Sequence, residues 1–238
     1  MADSTQALDF RSLARLNRVE QPVKITTGLH VIEYLLWGVD GSIKSDDFAA
    51  GTGARRGEYA ASAARLLGND LSLVAAAWAP GASNNYRASL ASMDKRNALG
   101  RAFNGMAVLV GYEIPLRRIG AGLFPANANF QPSPFSRTSE LDSRFAFAGA
   151  RRVYFETGID RLLGATDAAL ADKIATGFER AQTALAAMDA PYERFLAPAP
   201  GSPARATAET AARALTDLAS DLRHAANRLG VLVVIPGM

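Results

Sequence analysis

The stretch from about Ala204 to Leu229 constrains the fold of this chain more than any other. Arg205, Glu209, Arg213 and Asp217 recur there at four-residue steps, and Leu215, Leu218, Leu222 and Leu229 follow a separate stripe. Residues three or four apart share one face of a helix. The stretch therefore reads as a long helix with one solvated, charged side and one aliphatic side that needs partners. The partners on offer are other helices, because no stretch alternates with period two for long enough to build a sheet. The expected fold class is all-α, a helical bundle of about six to eight helices.

The other helices are punctuated by proline, glycine and capping residues. A short helix over Asp9–Glu20, with Phe10, Leu13 and Leu16 on one face, should stop at Pro22. Thr26 or Thr27 is placed to cap the next helix, which Gly38 and Gly41 end. A long helix is expected from about Arg55 to Trp78, with Tyr59, Ala63, Leu66, Leu67, Leu71 and Val74 at helical spacing and Pro80-Gly81 ending it. A short one should follow within Asn84–Met93. The pattern from about Lys95 to Leu123 contains Pro115, which should kink it. Phe124–Arg137 is proline-rich and long for a connector, so it reads as a functional loop. Ser139 with Asp142 resembles a capping box opening a helix to about Glu156. Another helix runs over Thr166–Met188, and Val231–Ile235 is too short to classify, though it could form a tail packed along the bundle.

Within this pattern Leu29–Trp37 stands apart, being apolar on every side except at His30 and Glu33. A helix apolar all round belongs in an interior, and a buried carboxylate needs compensation. Spaced three apart, the two side chains can pair with each other or converge on a third group such as a metal ion. Glu113, in an apolar segment beside Pro115, also needs a partner, and Arg117 and Arg118 stand within one turn of it. His224 reads as structural or solvated near a helix C-terminus. Glu140, Glu156 and Asp160 read as surface charges.

Composition removes several functions. The 238 residues carry a net charge of +3 with scattered basic pairs, where a nucleic-acid surface clusters them. With no cysteine there are no disulfides, thiolate metal sites or cysteine nucleophiles, and only two histidines remain. A three-histidine zinc site is thus impossible. No run reaches the ~18 apolar residues of a membrane span, and Met1-Ala2-Asp3-Ser4-Thr5 lacks the pattern of a signal peptide.

The block Gly28-x-His30-x-x-Glu33, running into Tyr34-Leu35-Leu36-Trp37-Gly38, resembles the GxHxxE signature of the imelysin family. The likeness continues through Trp78-Ala79-Pro80, Asn85-Tyr86-Arg87, Gly111-Tyr112-Glu113 with Arg118, Pro134-Phe135-Ser136 with Asp142, and the closing Gly230–Pro236. The resemblance implies an exported bacterial helical protein, periplasmic or outer-membrane associated and tied to iron uptake or regulation. It also implies a divalent metal (iron, zinc or calcium) at His30, Glu33 and Glu113, with Ser136, Arg118 and Asp142 binding ligand. Its founding members were described as metallopeptidases.

Three departures qualify that picture. Arg117 stands where relatives carry a second glutamate, and Arg137 stands where they carry aspartate, so two acids are replaced by cations. Only 27 residues precede Gly28, where relatives place a further helical region. The chain is therefore expected to be a short branch or the C-terminal part of a longer protein. A face opened in this way would suit a homo-oligomer or a partner protein. The favoured function is binding of a metal or small polar ligand without catalysis. The alternatives are a metal-dependent peptidase and an interaction module with a decayed site. The composite site requires His30 and Glu33 to face Glu113 and the 124–137 loop.

Overall fold

A computed structural model describes residues 5–17, 25–120, 123 and 131–237. Every regular element among them is helical, and the fold is the expected all-α one. No described helix is long and apolar enough to cross a membrane. The chain divides into two compact units, Met1–Ala91 and Ser92–Met238, and each is taken by itself.

The N-terminal unit holds α1 (Phe10–Leu16), α2 (Leu29–Trp37) and α3 (Gly51–Trp78), with α4 (Tyr86–Ser92) at its end. Helix α1 starts because the Asp9 carboxylate accepts from the main-chain N–H groups of Arg11 and Ser12 at 2.9 and 3.1 Å. The Ser12 hydroxyl and amide together hold the Asp9 carboxyl below its usual range. The helix ends at Leu16 rather than reaching Glu20, and Pro22 lies outside the described residues. Its Leu13, with Leu8, Leu35, Tyr59, Ala60 and Ala63, makes the unit's core. The expected long helix forms, but its apolar spacing does not bring burial to Leu71 and Val74. Each is 57% exposed, because α1 and α2 pack on α3 and bury only residues from Tyr59 to Ala63.

The C-terminal unit is built around the longest buried face in the molecule. Its helices are α5 (Lys95–Val108), α6 (Ser139–Glu156), α7 (Ile159–Gly164), α8 (Ala168–Ala186), the single turn α9 (Glu193–Leu196) and α10 (Pro203–Arg228). Helix α5 continues as a wide, π-helical segment over Leu109–Gly120. Pro115 lies inside that segment, and the chain widens where a proline would otherwise break a normal helix. Along α10, Ala208, Ala211, Leu215, Leu218, Leu222 and Ala225 are all buried. They pack on α8, the wide segment and α5. Gly177 of α8 lets that contact close, since a Cβ there would sit 3.2 Å from Leu218 Cδ1. Phe178 adds a ring cluster with Phe147, Tyr154 and Phe155, at centroid distances of 5.8, 5.3 and 5.5 Å. Such clusters add to plain apolar burial.

Three further expectations change. The predicted Ser139–Asp142 capping box does not form; Thr138 is the N-cap residue and makes no side-chain capping bond. Ser139 Oγ instead accepts from the Ser133 amide at 3.0 Å, and the Asp142 carboxylate accepts from the Ser133 hydroxyl. Both side chains fasten the preceding turn rather than their own helix. Glu140 is not a surface charge but 8% exposed, and Asp160 is half-buried. Of the Phe124–Arg137 loop, residues 124–130 lie outside the described residues.

Candidate functional site

The GxHxxE glycine has a backbone role. Gly28 caps α2 at φ 107° and ψ −179°, and Gly38 closes it at φ 75° and ψ −174°. Both conformations are nearly restricted to glycine, so the two glycines of the motif fix where the helix begins and ends. The expected threonine cap is absent, because the residue at the cap position is Gly28 and has no side chain to offer. Thr26 serves through its main chain, accepting from the Tyr59 hydroxyl at 2.6 Å. At the other end, Arg56 donates to the carbonyls of Leu35 and Tyr34 at 2.6 and 2.5 Å. The bond to Leu35 satisfies an acceptor that the helix C-terminus leaves open, while the Tyr34 carbonyl also accepts from the Gly38 amide at 2.8 Å.

Held in this way, α2 sends Glu33 inward and His30 outward. The Glu33 side chain is 9% exposed and that of His30 69%. The expectation of a wholly interior helix therefore fails at His30, as it does at Leu29 and Trp37, which are 67% and 42% exposed. His30 Nδ1 lies 3.7 Å from Glu33 Oε2. That separation allows one ion to touch both atoms at the ~2.0–2.2 Å typical of zinc ligands. It supplies two protein donors where catalytic zinc has three. Within neither unit do three His, Asp or Glu side chains gather as a metal site among the described residues.

The remaining predicted residues belong to the C-terminal unit. Glu113 pairs with Arg117, whose Nη1 reaches both carboxylate oxygens at 3.1 and 3.2 Å. Arg117, at a position the family resemblance led one to expect as acidic, is thus the partner of Glu113. Arg118 is half-buried, and its Nη1 makes no hydrogen bond among the described residues. Ser136 Oγ shares a hydrogen bond of 2.9 Å with Thr138 Oγ1. Asp142 is engaged with Ser133. Arg137 adopts φ 57°, a left-handed value that aspartate and asparagine tolerate better than arginine. The turn's backbone therefore suits an aspartate or asparagine at this position better than an arginine.

One buried polar group escaped the sequence reading. The Tyr192 hydroxyl donates to Ser143 Oγ at 2.7 Å, fully inside the C-terminal unit. Burial pushes this tyrosine up to about 12, against the lowering effect of Ser143 and of the nearby Arg118 and Arg144 charges. Glu140 lies near enough to raise it further. A signal for Glu140 existed: Glu140, Ser143, Phe147, Ala150 and Tyr154 fall on one helical stripe, and all are buried.

Residues 2–222 match the model of the imelysin family. The match spans nearly the whole chain, and the chain belongs to that family of metal-related or peptidase-like helical proteins. No curated protein matches it.

Proposed function

We propose that this imelysin-family chain is a non-catalytic binding protein. It takes a divalent cation, or a small polar ligand in its place, at the His30–Glu33 turn of α2. The observation carrying this reading is the pairing of an exposed imidazole with a buried carboxylate 3.7 Å away. The Glu33 carboxylate is withdrawn from bulk water, which favours a compensating positive charge. Exposed His30 leaves that charge a way in. Iron, zinc and calcium are the candidate ions, and bacterial iron uptake or regulation at the periplasm is the setting the family suggests. A hydrolytic role for Glu113 is disfavoured by its two-oxygen pairing with Arg117, which holds the carboxylate as an acceptor already in use.

The test is elemental analysis of purified protein after loading and desalting, beside His30→Ala and Glu33→Gln variants. Near-stoichiometric metal that falls in both variants is the expected result. His30→Ala is the cleaner arm, since its exposed side chain is not needed for packing. Equal metal in that variant and in the wild type, or none in the wild type, would sink the reading.

A further inference from the structure

The second half of α3 presents an apolar seam to solvent. Leu67, Leu71, Val74 and Trp78 recur at steps of four, three and four, the spacing of the a and d positions of a coiled coil. On a helix of 3.6 residues per turn these four fall within roughly 60° of arc and span about 17 Å along the axis. Leu67 is half-buried, Leu71 and Val74 are 57% exposed and Trp78 is 49% exposed. A stripe confined to a and d is the narrow seam of helix pairing rather than the broader face that packs on a globular core.

The seam is held in place before any partner reaches it. Asn85 Nδ2 donates to the Ala76 and Ala79 carbonyls at 3.1 and 2.8 Å, closing the end of α3. The Tyr86 ring meets Trp78 edge-on at 5.1 Å between centroids. Order of this kind lowers the cost of association. No charged residue stands between Leu71 and Tyr86. A charged partner therefore finds no countercharge on this stretch. A membrane-surface helix would carry lysines and arginines on its polar side, and α3 has none beyond Arg65.

We propose that the seam pairs with the same seam of a second copy of this chain, as an antiparallel two-helix contact. Two-fold pairing places a surface against itself, so a charge near the axis would meet its own sign. The neutrality of Leu71–Trp78 removes that penalty. The antiparallel register sets Trp78 against Leu67 of the second copy and Leu71 against its Val74, so large and smaller side chains alternate along the seam. Asp70 then lies across from Ala75 of the second copy rather than from another carboxylate. With the flanking alanines the face amounts to roughly 500 Å² per copy, so the pair buries about 1,000 Å², the lower limit for a specific interface. The dimer is accordingly weak, with a Kd on the order of 10 µM. Each copy folds without it, since α1 and α2 already hold the first half of α3. Dilute unfolding therefore reads the single chain. The pairing is independent of His30 and Glu33.

The experiment is sedimentation equilibrium of the full chain from about 1 to 200 µM, a range that brackets the expected Kd. A monomer–dimer equilibrium is expected, weakened at least about tenfold by Val74→Glu or Leu71→Glu and unchanged by His30→Ala. Both glutamates replace exposed side chains, and unchanged thermal unfolding of dilute protein will show that the variants fold. Because the chain has no cysteine, Leu71→Cys and Val74→Cys can each be oxidised cleanly. Faster cross-linking in an equal mixture of the two than in either alone supports the antiparallel register, and slower cross-linking in the mixture overturns it. A chain that stays monomeric throughout the range overturns the proposal, whether or not it binds uncharged lipid vesicles. So does a dimer that Val74→Glu and Leu71→Glu leave intact.

Discussion

Helices α3 and α10 are nearly the same length, 28 and 26 residues, and have opposite fates. Helix α10 is buried along one face from Ala208 to Ala226. Helix α3 buries residues only between Tyr59 and Ala63, and leaves Leu73 71% and Trp78 49% exposed. Apolar spacing is present in both. The difference lies in the partners: α8, the wide segment and α5 cover α10, whereas α1 and α2 cover only the first half of α3. Helical periodicity in a sequence states which face can be buried; it does not state that anything arrives to bury it.

Substitution should break this symmetry most visibly. Phe178→Ala removes a fully buried ring from the cluster beside α10 and should cost about 3–5 kcal/mol. Leu218→Ala, at the α8 contact, should cost about 2–5 kcal/mol. Leu73→Ala and Val74→Ala on α3 should change stability by no more than about 0.5 kcal/mol. Chemical denaturation of the four variants measures this directly. If the α3 variants cost as much as the α10 contacts, a partner covers that face in solution.

The comparison sharpens next in local opening. Among the described residues, the N-terminal unit has a core of six buried apolar residues, including two alanines, whereas the C-terminal core spans helices from Phe103 to Ile235. Regions with few buried apolar contacts open first. Amide exchange of α1 and α2 should therefore outpace that of α8 and α10 by at least about tenfold. Equal protection across both units would mean that they unfold as one.

These contrasts explain what the sequence could and could not convey. The class and the α10 faces were legible, because each rests on spacing that only one backbone geometry satisfies; Val231–Ile235 was too short to classify from its sequence. The ends of α2 were legible in place but not in cause: threonines preceded the helix, yet a glycine with φ 107° took the cap. For Glu113 the sequence left two arginine partners open, Arg117 and Arg118, and the structure pairs it with Arg117. Glu140 was misread because charge was weighed before register, although its stripe with Ser143 and Phe147 marks it as inward. Ser133, which takes up both Ser139 and Asp142, could not be anticipated, since loop conformation decides it. The half-exposed state of α2 was hidden for the reason that governs α3: burial depends on partners.

A smaller effect separates charge from packing. Asp221 of α10 has a side chain 6% exposed and depends on Lys173 Nζ at 2.7 Å. Lys173→Ala leaves that carboxylate buried without its cation, at a cost of about 1–3 kcal/mol. Lys173→Ala with Asp221→Leu should recover much of the loss, since an apolar pair of fitting shape serves as well. Failure of the double variant to recover would show that the site is polar for a reason other than this ion pair.

The smallest effect at neutral pH should come from Tyr154, and its interest lies in alkali. Its ring is fully buried in the C-terminal core, and its hydroxyl finds no hydrogen-bond partner among the described residues. Burial first, and the Asp160 charge second, push this tyrosine up to about 12 from an ordinary 10.0. Tyr192 is raised to about 12 as well, while in the N-terminal unit burial alone raises Tyr59. A tyrosine that stays protonated longer when folded stabilises the fold fully below pH 10. That contribution is lost as the pH rises from about 10 towards about 12, because the unfolded chain ionises first. Tyr154→Phe removes an unpaired hydroxyl, so it should be neutral or stabilising by up to about 1 kcal/mol at pH 7. It should also flatten the alkaline decline in denaturation midpoint measured between pH 9 and 12. Tyr192→Phe should flatten that decline too, but at a neutral-pH cost, since it breaks the bond to Ser143. If Tyr154→Phe destabilises at pH 7, its hydroxyl has a partner, and the C-terminal core is wetter than its packing implies.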